Sequence, residues 1–127
     1  MIVVDSTFVV DYLDGIEETK SILAEYDDQP MHVPSLVLFE VARGVLKTAD
    51  REVLDAVLHR LEWLDVLPLS AAEAVEAAHI EAELLEGGEP INLGDTLIAG
   101  SCRHRGASLL TRDGDFDRIL NLEVITY

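Results

Sequence analysis

Four acidic residues occupy positions where carboxylates could do chemistry. Asp5 directly follows the apolar run Ile2-Val3-Val4, and Asp113 lies two residues beyond Leu110-Thr111. Glu40 falls one helical turn after Leu36 and Val37 on their face, where a solvent-facing glutamate is out of place. Asp95 sits in the first turn of a helix entered from a glycine-rich stretch. Each has an ordinary use on its own. Asp5 can cap the helix that begins near Thr7, and Asp95 can complement a helix N-terminus. Asp113 can turn the chain in Thr111-Arg112-Asp113-Gly114-Asp115, and a buried Glu40 can pair with Arg43 at i+3. Jointly, four carboxylates at strand ends and helix starts point to a divalent-cation site. Mg²⁺ takes oxygen ligands and keeps several waters, so a few carboxylates suffice. Such a cation lowers the pKa of bound water, stabilises charge on a phosphoryl group and offsets local negative charge that would repel phosphate. The hydroxyls of Thr111 and Ser6 could orient water or a carboxylate, with helix capping the alternative use of Ser6.

These residues need elements to hold them. Ile2–Val4 is predicted as a buried strand, followed by a helix capped at Ser6 or Thr7, running to about Leu13 and ended by Gly15. A second helix spans about Glu17 to Tyr26. Met31–Val33 is a strand, and Pro34-Ser35 opens a helix to Leu46. From Asp50 to Trp63, the apolar positions Val53, Leu54, Val57, Leu58 and Leu61 make one helical stripe. Val66–Leu69 is a strand, and Ser70 with Glu73 forms a capping box that opens an alanine-rich helix to about Glu86. Gly87-Gly88 stops it, and Pro90 to Gly94 is loop. Asp95 to Arg105 is a helix closed by Gly106, Ser108–Thr111 a strand, Asp115 to Leu120 a short helix, and Val124–Thr126 a last strand. Strands alternating with helices imply an α/β fold with a mainly parallel sheet and helices on both faces. In such sheets, sites form beyond the carboxyl ends of the strands, which is where Asp5 and Asp113 fall.

Composition narrows the function. The 127 residues suit one domain, 1–127, with no linker, repeat or composition break. Apolar residues are 49% of the chain and the mean hydropathy is +0.20, which excludes a disordered chain. No apolar run reaches the roughly 18 residues of a membrane span, and the start lacks the pattern of a signal peptide. The lone Cys102 forbids an intrachain disulfide, so a reducing cytoplasm is expected. Twenty-five acids against nine basic residues give a net charge of −16. That field repels bare polyanions and excludes a general electrostatic nucleic-acid binder, unless a metal ion and salt screening bring phosphate in. Molar salt shortens the Debye length to about 3 Å, and an acidic, lysine-poor surface suggests a salt-loving cytoplasm.

Four segments together resemble PIN domains: Ile-Val-Val-Asp5-Ser-Thr, the helical Glu40, Gly94-Asp95-Thr-Leu-Ile-Ala-Gly, and Leu-Leu-Thr111-Arg-Asp113-Gly-Asp115-Phe116. More narrowly, the chain is similar over its whole length to the VapC-like toxin ribonucleases of toxin–antitoxin pairs. The resemblance implies a PIN-like three-layer sandwich and a Mg²⁺- or Mn²⁺-dependent endoribonuclease, with Asp5, Glu40, Asp95 and Asp113 around the metal. Asp115 matches a fifth, less regular acid of the pattern. It further implies a metal-activated water instead of a protein nucleophile, a homodimer, an RNA substrate and a small inhibitory antitoxin. Gly100 departs from the pattern, since alanine is commoner there; this touches packing and leaves the chemistry intact. Two alternatives are a housekeeping RNA-processing nuclease of the same chemistry and a degenerate domain serving as a binding scaffold. The intact acids speak against the scaffold.

Other motifs fail. Asp113-Gly-Asp115-Phe-Asp117 is similar to a calcium loop, but Arg118 stands at the turn-glycine position and Val124 at the closing glutamate. His32, His59, His79 and His104 lack zinc spacing. No glycine-rich phosphate loop of the Walker type occurs. Cys102 is expected as a small core residue. Arg103, His104 and Arg105, followed by Arg112, are the one basic cluster; they could touch an RNA backbone or, for the first three, complement a helix C-terminus. Trp63 lies off its helix's apolar stripe, at a partner interface or partly in the core.

Overall fold

The computed structural model describes residues 1–127. Five strands form one sheet: β1 (Ile2–Val4), β2 (Met31–Pro34), β3 (Asp65–Leu67), β4 (Ser108–Leu110) and β5 (Glu123–Ile125), in the order β3-β2-β1-β4-β5. All four pairings are parallel, with Val3 opposite both His32 and Leu109. The helices are α1 (Ser6–Leu13), α2 (Glu17–Glu25), α3 (Ser35–Leu46), α4 (Arg51–His59), α5 (Ala71–Glu86) and α6 (Leu93–Arg105), with a 3₁₀ turn over Gly114–Arg118. From β1 the chain steps outward to β2 and β3, then crosses back to β4 and β5 on the other side. Right-handed crossovers therefore put α1–α4 over one face and α5–α6 over the other. This is the expected three-layer arrangement.

The central strands are apolar because both their faces are covered. Ile2, Val3, Val4, Leu109 and Leu110 are fully buried, each contributing about 1.5–3 kcal/mol by leaving water. Phe8, Val37, Ile80 and Ile98 bring the helices down onto them. The edge strand β3 begins at exposed Asp65 and stops before Pro68, which has no N–H to extend a ladder.

Several boundaries differ from the sequence expectation. Helix α4 ends at His59 and not at Trp63: Leu61 and Leu64 bond back three residues, to Leu58 and Leu61, and bury themselves from a tighter turn. Helix α6 starts two residues early, at Leu93, because the Asn92 side chain accepts from the Gly94 N–H at 2.8 Å and caps it. Residues Gly114–Arg118 form a 3₁₀ turn in place of a helix from Asp115 to Leu120. The cap of α1 is Asp5, neither Ser6 nor Thr7. The Ser70–Glu73 capping box is present, and Glu73 also pairs with Arg105 at 2.5 Å while fully buried. The Arg105 and Ser70 hydrogen bonds outweigh the cost of burial and hold the Glu73 carboxyl down at about 2.

Helices α5 and α6 pack closely at Gly100. A Cβ there would lie 2.6 Å from Ala77 Cβ and 2.7 Å from Ala77 N, so the missing side chain at Gly100 is what lets the two helices approach this closely. Cys102 is a buried core residue as expected, and burial pushes its thiol up to about 12.

Candidate active site

The crossing from β3 back to β4 makes the gap between the carboxyl ends of β1 and β4 the switch point of the sheet, where connections leave in opposite directions. Asp5 leaves β1 there and Asp113 follows β4. Helix α6 runs back toward the start of β4, so its N-terminus, with Asp95, lies at the same end. Helix α3 leaves the end of β2 and presents Glu40 in its second turn.

Asp5 is buried and does two jobs. Its Oδ1 accepts from the Phe8 N–H at 3.0 Å as the α1 cap. Thr7 Oγ1 lies 2.8 and 2.9 Å from the two carboxylate oxygens, and Thr111 Oγ1 donates to Oδ2 at 2.5 Å. Burial raises the Asp5 pKa against these hydrogen bonds, and nearby Asp113 raises it further. The capping use and the cluster use of Asp5 are thus both present. Thr111 also accepts from the Asp113 N–H at 2.9 Å, and Asp113 Oδ1 accepts from the Asp115 N–H at 2.9 Å. One threonine therefore ties the ends of β1 and β4 together.

Glu40 is half-buried and reaches the start of α6, with its Oε2 3.5 Å from where a Cβ on Gly94 would stand. Its Oε1 is buried and has no hydrogen-bond partner. The pairing with Arg43 does not form as a salt bridge; Arg43 lies over the Phe39 ring at 5.3 Å and attracts Glu40 only through space. Burial raises the Glu40 pKa despite Arg43, with Asp5 adding to the rise. Asp95 is pushed up to about 6, first by burial and then by Asp113, Glu40, Asp5 and Asp115 in turn. The other four acids singled out in the sequence thus lie within electrostatic reach of Asp95, although no three close on one point.

Ser6 does not join them: its hydroxyl makes no hydrogen bond, and Thr7, one residue on, takes the place expected of it. The signal for Thr7 was geometric, since an Asp cap leaves the second helical residue facing back toward the cap. A further network was invisible in the sequence. Arg112 donates to Asp11 at 2.5 and 3.1 Å, and the Tyr127 hydroxyl donates to Asp11 at 2.8 Å. The Arg112 hydrogen bonds hold the Asp11 carboxyl below its usual range. The basic cluster is likewise engaged inside the fold, Arg103 with Glu76 and Glu83, and Arg105 with Glu73. Trp63 is 43% exposed and rests against Tyr12, ring centroids 5.4 Å apart.

The donor set is all oxygen, it carries one buried carboxylate oxygen with no partner, and burial together with mutual repulsion lifts its central acid. These features fit a hard divalent cation.

The PIN domain model matches residues 2–121. The chain is 34% identical over 91 residues to a tRNA(fMet)-specific endonuclease VapC of Shigella flexneri, covering 70% of this chain and 69% of that one. A tRNA(fMet)-specific endonuclease VapC of Salmonella typhimurium is 30% identical over 99 residues, 74% of this chain and 73% of the relative. Among solved structures, VapBC2 from Rickettsia felis bound to a promoter DNA fragment superposes with a TM-score of 0.90 at 25% identity, covering 99% of this chain and 98% of that chain. PIN-domain nucleases generally use divalent metal ions. No helix is long and apolar enough to cross a membrane. The chain belongs to the PIN-domain family and, within it, to the VapC-like endonucleases.

Proposed function

We propose that the chain is the toxin of a toxin–antitoxin pair, an endoribonuclease that hydrolyses RNA phosphodiester bonds with Mg²⁺ or Mn²⁺ held by Asp5, Glu40, Asp95 and Asp113. The observation that carries this reading is the convergence on Asp95, whose pKa is lifted to about 6 by burial and four other acids, beside a buried, unpartnered Glu40 oxygen. Carboxylates gathered at such cost have a use for a cation. When bound, a divalent cation lowers the pKa of water and neutralises charge on the phosphoryl group. The chain's own part is orientation. The Phe8 N–H, Thr7 and Thr111 fix both oxygens of Asp5, and the Asp115 N–H fixes Asp113. Glu40 and Asp95 keep free oxygens. Asp115 stands at the margin, its side chain 45% exposed and near Arg118.

The relatives' names support RNA as substrate, and the neighbours solved as toxin–antitoxin complexes support a small antitoxin partner and the toxin reading over a housekeeping nuclease. A homodimer is the family's usual state and is part of this proposal. The test is cleavage of end-labelled single-stranded or loop RNA by the purified chain. Products bearing a 5′-phosphate, made with Mg²⁺ or Mn²⁺ and abolished by EDTA, are expected. Activity that survives EDTA, or 2′,3′-cyclic phosphate ends, would refute the mechanism. Co-expression with a small protein encoded beside the chain should give a tight, inactive complex; a complex with full activity would refute the inhibition.

A further inference from the structure

A chain of net charge −16 must still hold an RNA backbone, and the structure shows which cations remain for that work. Of its nine basic residues, Lys20, Arg103, Arg105, Arg112 and Arg118 each pair with a carboxylate. The four without one are Arg43, Lys47, Arg51 and Arg60, and all lie in the stretch that follows Glu40, Arg43 in α3, Arg51 in α4, and Lys47 and Arg60 just past the ends of these helices. Arg43 and Lys47 stand three and seven residues after Glu40, on the same side of α3. At 1.5 Å per residue, Lys47 is about 10 Å from Glu40 along the axis. Arg60 lines the groove between α1, α3 and α4 that has Glu40 on its wall, a groove of about 380 Å³ with an apolar floor including Val41 and Val57.

We infer that Arg43, Lys47 and Arg60 form the path of the RNA sugar-phosphate backbone as it leaves the acidic site, with Arg51 extending it. This rests on the RNA-cleaving reading above. The other lysines and arginines are each tied to a carboxylate, so these four are the ones free to meet a phosphate, with Asp14 the acid besides Glu40 on the groove's wall. Arg43 and Arg60 each have a local use too. Arg43 covers the Phe39 ring, and Arg60 donates to the Leu13 carbonyl at 3.1 Å beside Tyr12. Neither use consumes the positive charge.

The test is the salt dependence of binding of a fluorescein-labelled 12-nucleotide single-stranded RNA, measured by anisotropy from 0.05 to 0.3 M KCl with Ca²⁺ present. Removing one cation from a phosphate should flatten the plot of log affinity against log salt by about 0.7, and weaken binding about fivefold at 0.1 M. Arg43→Gln, Lys47→Gln and Arg60→Gln should each do so, while Arg43→Lys and Arg60→Lys keep most of the slope. Lys20→Gln makes the same change of charge at a cation already paired with Glu17 and should leave the slope unaltered. Thermal melts separate a folding defect, for which the lysine variants are the second measure. Binding by the parent with an unchanged slope in the glutamine variants overturns this inference alone. So does an equal loss in Lys20→Gln, which would mean net charge and no path. Loss of affinity for a co-expressed partner protein, with RNA binding untouched, would assign the surface to that protein. A parent chain that binds no RNA at all would overturn the RNA-cleaving reading with it.

Discussion

Replacing Asp95 with asparagine should separate the use of this carboxylate from its cost. In the folded chain its pKa stands near 6 against an ordinary 3.8. The folded state thus binds the proton more tightly than the unfolded one. Below about pH 4 the group is neutral in both states and costs nothing. As pH rises through 6 the folded carboxylate ionises among its neighbours, and the penalty is complete. At pH 7.5 and 1.36 kcal/mol per pKa unit, that penalty is about 3 kcal/mol. The asparagine would carry no charge, but a partly buried amide without a partner gives back about 1 kcal/mol. The net expectation is that Asp95→Asn is more stable than the parent by about 2 kcal/mol at pH 7.5 in EDTA. A chain of this size should then melt several degrees higher. At pH 4 the difference should fall below about 1 kcal/mol. Mn²⁺ should reverse the order, because it stabilises only the state that binds it and should favour the parent. RNA cleavage by the variant should drop by orders of magnitude. Urea titrations at the two pH values, with EDTA or Mn²⁺, read the stability changes, and the end-labelled RNA assay reads the cleavage. An Asp95→Asn chain that is less stable than the parent in EDTA at pH 7.5, or one that still cleaves, would refute the reasoning and leave Asp95 a helix-start residue.

Three other outcomes are expected. Gly100→Ala should lower stability by about 1–2 kcal/mol in urea titration: the clash with the Ala77 backbone outweighs the roughly 1 kcal/mol of helix propensity gained, Ala77→Gly should restore part of the loss, and an unchanged midpoint would contradict the packing. The Glu73 carboxyl, held down at about 2, contributes stability above its ordinary 4.5 that is lost as pH falls toward 2; Glu73→Gln should therefore cost about 2–3 kcal/mol at pH 7 and flatten the acid side of the stability profile, and a profile parallel to the parent's would count against the Arg105 pairing. The net charge of −16 should make the melting temperature rise from dilute buffer to molar KCl, since screening relieves self-repulsion; a flat or falling series would remove the argument for a salt-adapted surface.

The strands and helices were legible because period and punctuation agreed. Ile2–Val4 carries no polar residue and Ser70 with Glu73 announces the start of α5, and both stand where expected. The end of α4 was not legible, because leucines spaced by three satisfy a tight turn as well as a helix. The four acids were recognisable from their positions after strands and at helix starts. Their convergence depends on strand order, which local sequence does not encode. The same holds for Thr7, whose partner Asp5 also meets Thr111 from the neighbouring strand, and for the network in which Arg112 and Tyr127 reach Asp11 from more than a hundred residues away. The structural use of the basic cluster was legible but its partners were not, because sequence displays charge without its partner: Arg103 and Arg105 face acids of α5.

The strand order also sets a timetable. Strand β1 is made first but lies in the middle of the sheet, and its second neighbour, β4, is the last strand but one. During synthesis the chain can pair β1 with β2 and β2 with β3, and lay α1–α4 over them, with β4 and β5 still unmade. Asp5 and Glu40 are then in position, but Asp113 and the clamping Thr111 do not yet exist. The acidic cluster can thus close only once the chain has been made through Asp113 and β4 has slotted in beside β1, long after Asp5 and Glu40 have taken their places.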